Sequence, residues 1–162
     1  GQKRIFDYYE NTNKFVDHYA KVLQKKGYNY GKLILPHDGK ARNKTDGGSY
    51  KKSFEDLGYK VHVNERISDK DISITVLADA LPNYYFDEER CRDGLEALDH
   101  YRREYDEENR IYRENPLHDW SSHPCDSLQE MAKADKSGLL GSGSTVTLTQ
   151  INKWQKAYSR TG

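Results

Sequence analysis

Apolar and polar positions alternate along the chain in a way that predicts short strands and helices in turn. "KRIFDYYE", rich in Ile, Phe and Tyr, predicts a strand over residues 3 to 9. In "NTNKFVDHYAKVLQKKG", Phe15, Val16, Tyr19, Val22 and Leu23 recur at helical spacing. That predicts a helix over about 13 to 26, with Thr12 or Asn13 as its cap and Gly27 as its stop. "KLILP" predicts a buried strand over 32 to 36, bounded by Pro36. Strand, helix and strand at these lengths predict a right-handed parallel crossover. "ARNKTDGGSY" is polar and glycine-containing and predicts a mobile loop. "YKKSFEDLG" predicts a short helix stopped by Gly58, and "YKVHV" a strand over 59 to 63 in the same sheet as the first two.

The second half carries helical patterns. "SDKDISITVLADALP" opens with a Ser-x-x-Asp cap, and Ile72, Val76, Leu77 and Leu81 form a stripe. "YYFDEERCRDGLEALDHYRREYDEE" predicts a longer helix with Asp87 as cap and Cys91, Leu95, Leu98, Tyr101 and Tyr105 on one face. "NRIYRENPLHDW" reads as an extended lead into a last helix. Pro124 is tolerated only in a first turn, so that helix is expected to start at His123 or Pro124 and to run to about Ala134. Beyond it lie a Gly/Ser linker and "TVTLTQ", a short strand or docked arm. These patterns require a layered α/β core. They place one domain at residues 1–136, followed by a linker and arm at 137–162.

Composition narrows the function classes. Charged residues reach 32%, but 13 tyrosines and clear periodicity argue against disorder. A formal net charge of +0 removes any bulk pull toward nucleic acid and leaves only a local basic patch to supply it. No apolar run approaches a membrane span. Cys91 and Cys125 have neither the number nor the spacing of a disulfide framework or zinc site, and fit small packing residues in a reducing compartment.

Titratable residues crowd "NPLHDWSSHPCDSLQEMA". Asp126 is expected in the first turn of the last helix, where the helix dipole favours an anion; dipole complementarity alone is a sufficient reason for it. Asp119 precedes Pro124 and lies outside the regular helix. Asp38, in "LILPHDGK", sits just past the carboxyl end of a buried strand, where ligands gather in open α/β sheets; a plain turn before Gly39 is the bland alternative. His37, His118 and His123 flank these acids, and lone histidines are usually packing or hydrogen-bonding residues. Oxygen-only coordination suits Mg²⁺ or Mn²⁺ better than zinc. Two carboxylates at element ends fit a two-metal phosphodiesterase.

Four blocks in order, "RIFDYYEN", "YGKLILPHDGKAR", "FDEERCRDGLEALDHYRREYDEE" and "PLHDWSSHPCDSL", resemble the nuclease domain of tailed-phage terminase large subunits over residues 3 to 134. The resemblance implies an RNase H-like fold, a mixed sheet flanked by helices. It implies two Mg²⁺ or Mn²⁺ ions and the cutting of concatemeric double-stranded DNA during packaging in the cytoplasm of a bacterial host. Asp38 and Asp126 match metal-binding acids, which are expected within reach of one shared ion. Asp119 is a further candidate, with His37, His118 and His123 orienting the acids. Lys40, Arg42 and Lys44 are candidate phosphate contacts, or simply a solvated loop. The family takes another aspartate from a first strand that would precede Gly1, so the fold is expected to lack that strand and the fragment to bind metal weakly. No Gly-rich phosphate loop of the terminase ATPase occurs in these residues. Expected partners are DNA, that ATPase domain and the portal protein, with no membrane. A non-catalytic docking or DNA-binding module, with Trp154 and Tyr158 as contacts, is the competing expectation.

Overall fold

The computed structural model describes residues 2–42 and 48–141, and the backbone of 146–147. Lys44, Trp154 and Tyr158 lie outside the described residues. The fold is mixed α/β, and the chain divides into two compact units: residues 1–9 with 67–136, and residues 10–66 with 137–162. No described helix is long and apolar enough to cross a membrane.

The second unit holds α1 (Val16–Lys26), β2 (Lys32–Leu35), α2 (Tyr50–Asp56), β3 (Lys60–Val63) and β7 (Val146–Thr147). Its three strands are parallel in the order β3-β2-β7, so β2 is central. That position explains the unbroken apolar run Leu33, Ile34 and Leu35, all nearly inaccessible. Phe54 of α2 is fully buried, and Tyr59 meets its ring edge-on. Ser49 caps α2 by accepting from the Lys52 amide. Gly27 ends α1 at a φ of 66°, a left-handed conformation that glycine adopts without strain.

The first unit holds β1 (Lys3–Ile5), α3 (Lys70–Ala80), β4 (Tyr84–Phe86), α4 (Arg92–His100), β5 (Arg103–Asp106), β6 (Ile111–Pro116) and α5 (Ser122–Lys136). β1 pairs with β4 in parallel, and β5 with β6 in an antiparallel hairpin. α5 packs on α3 and α4. Small side chains bring α4 and α5 close: Ala97 is fully buried, and the Cys125 thiol points at its carbonyl at 3.7 Å. Asp135 ties α5 to the small sheet, accepting from the Tyr84 hydroxyl at 3.2 Å and pairing with Lys3 at 3.3 Å.

Several sequence expectations need correction. β1 does not share a sheet with β2 and β3. Its partner is β4, and the Ile5 carbonyl accepts from the Asp87 amide at 2.9 Å. The parallel crossover is therefore β2–α2–β3. α1 starts at Val16, capped by neither Thr12 nor Asn13: Asn13 has a φ of 55°, and the Asn11 side chain accepts from the Thr12 amide instead. α4 stops at His100, because "YDEENR" is a turn in which Asp106 accepts from the Glu108 and Asn109 amides, and Tyr105 belongs to a strand. In α3, Val76 and Leu77 are buried as the stripe predicts, but Ile72 is half exposed and the cap is Asp69, whose carboxylate accepts from the Asp71 amide.

Candidate functional site

Asp38 is placed by backbone geometry. β2 ends at Leu35, Pro36 keeps the chain extended, and residues His37–Lys40 close a 3₁₀ turn. The Gly39 amide donates to the Pro36 carbonyl at 2.8 Å, and the Ala41 amide to the Asp38 carbonyl at 2.8 Å. A Cβ on Gly39 would lie 2.9 Å from the Cβ of Leu35, so only glycine lets the turn fold back this closely onto the strand. Asp38 itself is half-buried, and its carboxylate has no hydrogen bond or ion pair among the described residues. β3 runs alongside, with the Asn64 amide donating to the Leu35 carbonyl at 2.9 Å.

The basic candidates leave the same turn. Lys40 and Arg42 are exposed, and the backbone of Arg42 forms an antiparallel bridge with that of Ser49. His37 is exposed as well. His62, on β3, is the titratable neighbour whose charged form is disfavoured, first by burial and then by Lys32 and Lys40.

Asp126 stands in the other unit and is held differently. α5 begins at Ser122, earlier than the proline suggests, so no acid occupies its first turn and Asp126 lies one step beyond the strongest dipole field. Its partner is an ammonium: Lys70 of α3 forms an ion pair with Oδ1 of Asp126. Beside this pair, Arg103 reaches Asp71 at 3.3 Å. Tyr101 is pushed up to about 12, by burial first and by the neighbouring acids after it, and its hydroxyl accepts from the buried Gln129 at 3.4 Å. The Cys125 thiol is pushed up to about 12, mainly by burial, and stays neutral.

Asp119 is committed to local structure. Its Oδ1 accepts from both the amide of Ser121, at 2.9 Å, and its hydroxyl, at 2.6 Å. The Ser121 hydroxyl, above all, holds the carboxyl below the ordinary aspartate value; the Ser121 amide adds to this, and partial burial opposes it. Ser122 completes the knot, donating its hydroxyl to the Leu117 carbonyl and accepting from the Asp119 amide, both at 3.1 Å. His118 and His123 meet edge to face with ring centres 5.6 Å apart, and His100 packs near the half-exposed Trp120 at 5.2 Å.

The sequence reading missed Lys70 and Ser121. Lys70 carried a signal: a cation at the first position of a helix opposes the dipole, so it calls for an acidic partner elsewhere.

Asp38 and Asp126 offer hard carboxylate oxygens, the donor type that Mg²⁺ and Mn²⁺ take, so they fit these ions in chemistry. Among the described residues, no three His, Cys, Asp or Glu side chains gather as a metal-binding group. Compared with known proteins, the chain matches no family model, no curated protein and no solved structure.

Proposed function

We propose that this chain is an RNase H-like, metal-dependent nuclease domain of a phage terminase large subunit, acting on concatemeric double-stranded DNA in the host cytoplasm. The observation that supports it most is Asp38: a carboxylate just past the carboxyl end of the central strand of a parallel sheet, free of side-chain partners among the described residues. That is where open α/β sheets gather ligands, and where the resembled family carries a metal-binding acid. Asp126, near the start of α5 in the other unit, is the second acid that the resemblance matches to a metal ligand. Two bound Mg²⁺ or Mn²⁺ ions would activate a water and stabilise the leaving 3′ oxygen. Lys40 and Arg42, exposed beside Asp38, would hold phosphates, as would Lys44. Asp119, tied to Ser121, keeps the α5 entry in shape and does not need a metal to explain it. The ATPase domain and the portal protein are the partners this role requires.

Calorimetric titration with Mn²⁺ tests the reading. Weak binding to the unaltered chain, lost in both Asp38→Asn and Asp126→Asn, is the expected result. Unchanged binding in both variants would end it.

The Lys70–Asp126 pair favours a second reading, a non-catalytic docking or DNA-binding module in which Asp126 is a structural partner. Salt-sensitive DNA binding with no Mn²⁺ binding at all would select it.

A further inference from the structure

We infer that Lys32 and Lys60, together with Lys40, form a strip on the β2–β3 face of the second unit that seats the phosphate backbone of duplex DNA. The inference rests on the nuclease reading and carries its DNA contact beyond the Asp38 turn. The parallel register sets Lys32 of β2 directly opposite Lys60 of β3, and Ile34 opposite His62. Opposed residues, and residues two apart along a strand, share one face of a sheet. Lys32, Lys60 and His62 are therefore on the same face, with the two lysine backbones about 4.8 Å apart. Both lysines are exposed, and so is Lys40, at the end of the turn that follows β2. His62 senses cations from both ends of the strip: after burial, Lys32 and then Lys40 disfavour its charged form, with no acid among the causes to oppose them.

Like charges directly opposite on neighbouring strands repel and cost stability. A lysine on an edge strand can guard against unwanted strand pairing, which would explain Lys60 on β3; Lys32 is on the central strand, so that role does not account for it. Lysines elsewhere meet carboxylates, as Lys3 meets Asp135 and Lys52 meets Asp56. Among the described residues, Lys32, Lys40 and Lys60 have no ion pair, and Asp38, on the same turn as Lys40, does not supply one. Two ammoniums this close suit one phosphate, whose oxygens can accept from both and whose charge relieves the repulsion across the ladder. Lys32 and Lys40 flank β2, whose four residues span about 13 Å, or about four nucleotide steps of a duplex strand. A single small anion does not bridge that length, and a phosphate backbone does. Lysine meets phosphate as a point charge, so the strip adds affinity and no sequence preference.

The test is fluorescence anisotropy of a labelled DNA duplex with the full chain, in EDTA and over a range of salt. Three double variants are compared, each confirmed as folded by thermal melting: Lys32→Gln with Lys60→Gln, the charge-keeping Lys32→Arg with Lys60→Arg, and Lys40→Gln with Arg42→Gln. The Lys32/Lys60 glutamine pair is expected to bind about tenfold more weakly, with a slope of log K against log salt shallower by about 2. The arginine pair is expected to bind as the unaltered chain does. Binding unchanged in the Lys32/Lys60 glutamine pair but weakened by the Lys40 and Arg42 changes would overturn the strip and leave the nuclease reading intact. No duplex binding by the unaltered chain would overturn both. A polyglutamate peptide bound as tightly as the duplex, and lost in the Lys32/Lys60 glutamine pair, would assign the lysines to an acidic protein partner and overturn the DNA contact.

Discussion

Asp38 and Asp126 carry the same side chain, and the two units of the chain hold them by opposite means. Around Asp38 the backbone does the work: a buried strand, a proline, a tight turn and a glycine that admits no Cβ. The carboxylate is left without a side-chain partner among the described residues. Around Asp126 side chains do the work: Lys70 neutralises the acid, and a buried polar layer of Ser121, Ser122 and Gln129 lies on the same helix or at its entry. One carboxylate is held in place by the backbone beneath it, the other by a cationic side chain from a neighbouring helix.

The comparison can be broken most strongly at the apolar platform. Phe54 is fully buried against the parallel sheet, so Phe54→Ala should cost about 3–5 kcal/mol in urea denaturation. A loss under about 1 kcal/mol would mean that this core is not what holds the Asp38 turn. A smaller effect is expected at the turn itself. Gly39→Ala puts a methyl group against the Cβ of Leu35, an overpacking cost of about 1–3 kcal/mol. Because the turn must shift to admit it, Mn²⁺ binding should fall as well; stability and binding both unchanged would show that the close approach is dispensable.

The polar side is sharpened by Ser121→Ala, which removes one of the two donors to Asp119 and should cost about 1–2 kcal/mol at neutral pH. Here pH gives a second reading. The folded-state carboxyl of Asp119 lies below its unfolded value, so its contribution is present above the unfolded value and is lost as pH falls through the folded one. The gap between the unaltered chain and Ser121→Ala should therefore close as the solution is acidified below the ordinary aspartate range. A gap that stays constant in acid would mean the serine acts through packing alone.

How far the sequence disclosed this structure follows the same division. Most of the second unit was readable because its signals are local: the Leu33–Leu35 run, the Gly27 stop and the short helix before Gly58 each specify their own conformation. The turn that carries Asp38 was readable for the same reason. What escaped was of two kinds: local side-chain caps and turns that compete with helical spacing, and partners distant in sequence. The spacing of Leu98, Tyr101 and Tyr105 suits a helix, yet the side chain of Asp106 closes a hairpin turn there. The pairing of β1 with a strand near residue 85 has no local signature. Nor does the reach of Lys70 to a residue 56 positions away, which settles the surroundings of Asp126.

The most direct test of the nuclease reading is a crystal of this chain grown with Mn²⁺ and measured at the manganese absorption edge. The account predicts anomalous density on the carboxylates of both Asp38 and Asp126. Manganese bound elsewhere, or both carboxylates bare, would contradict it.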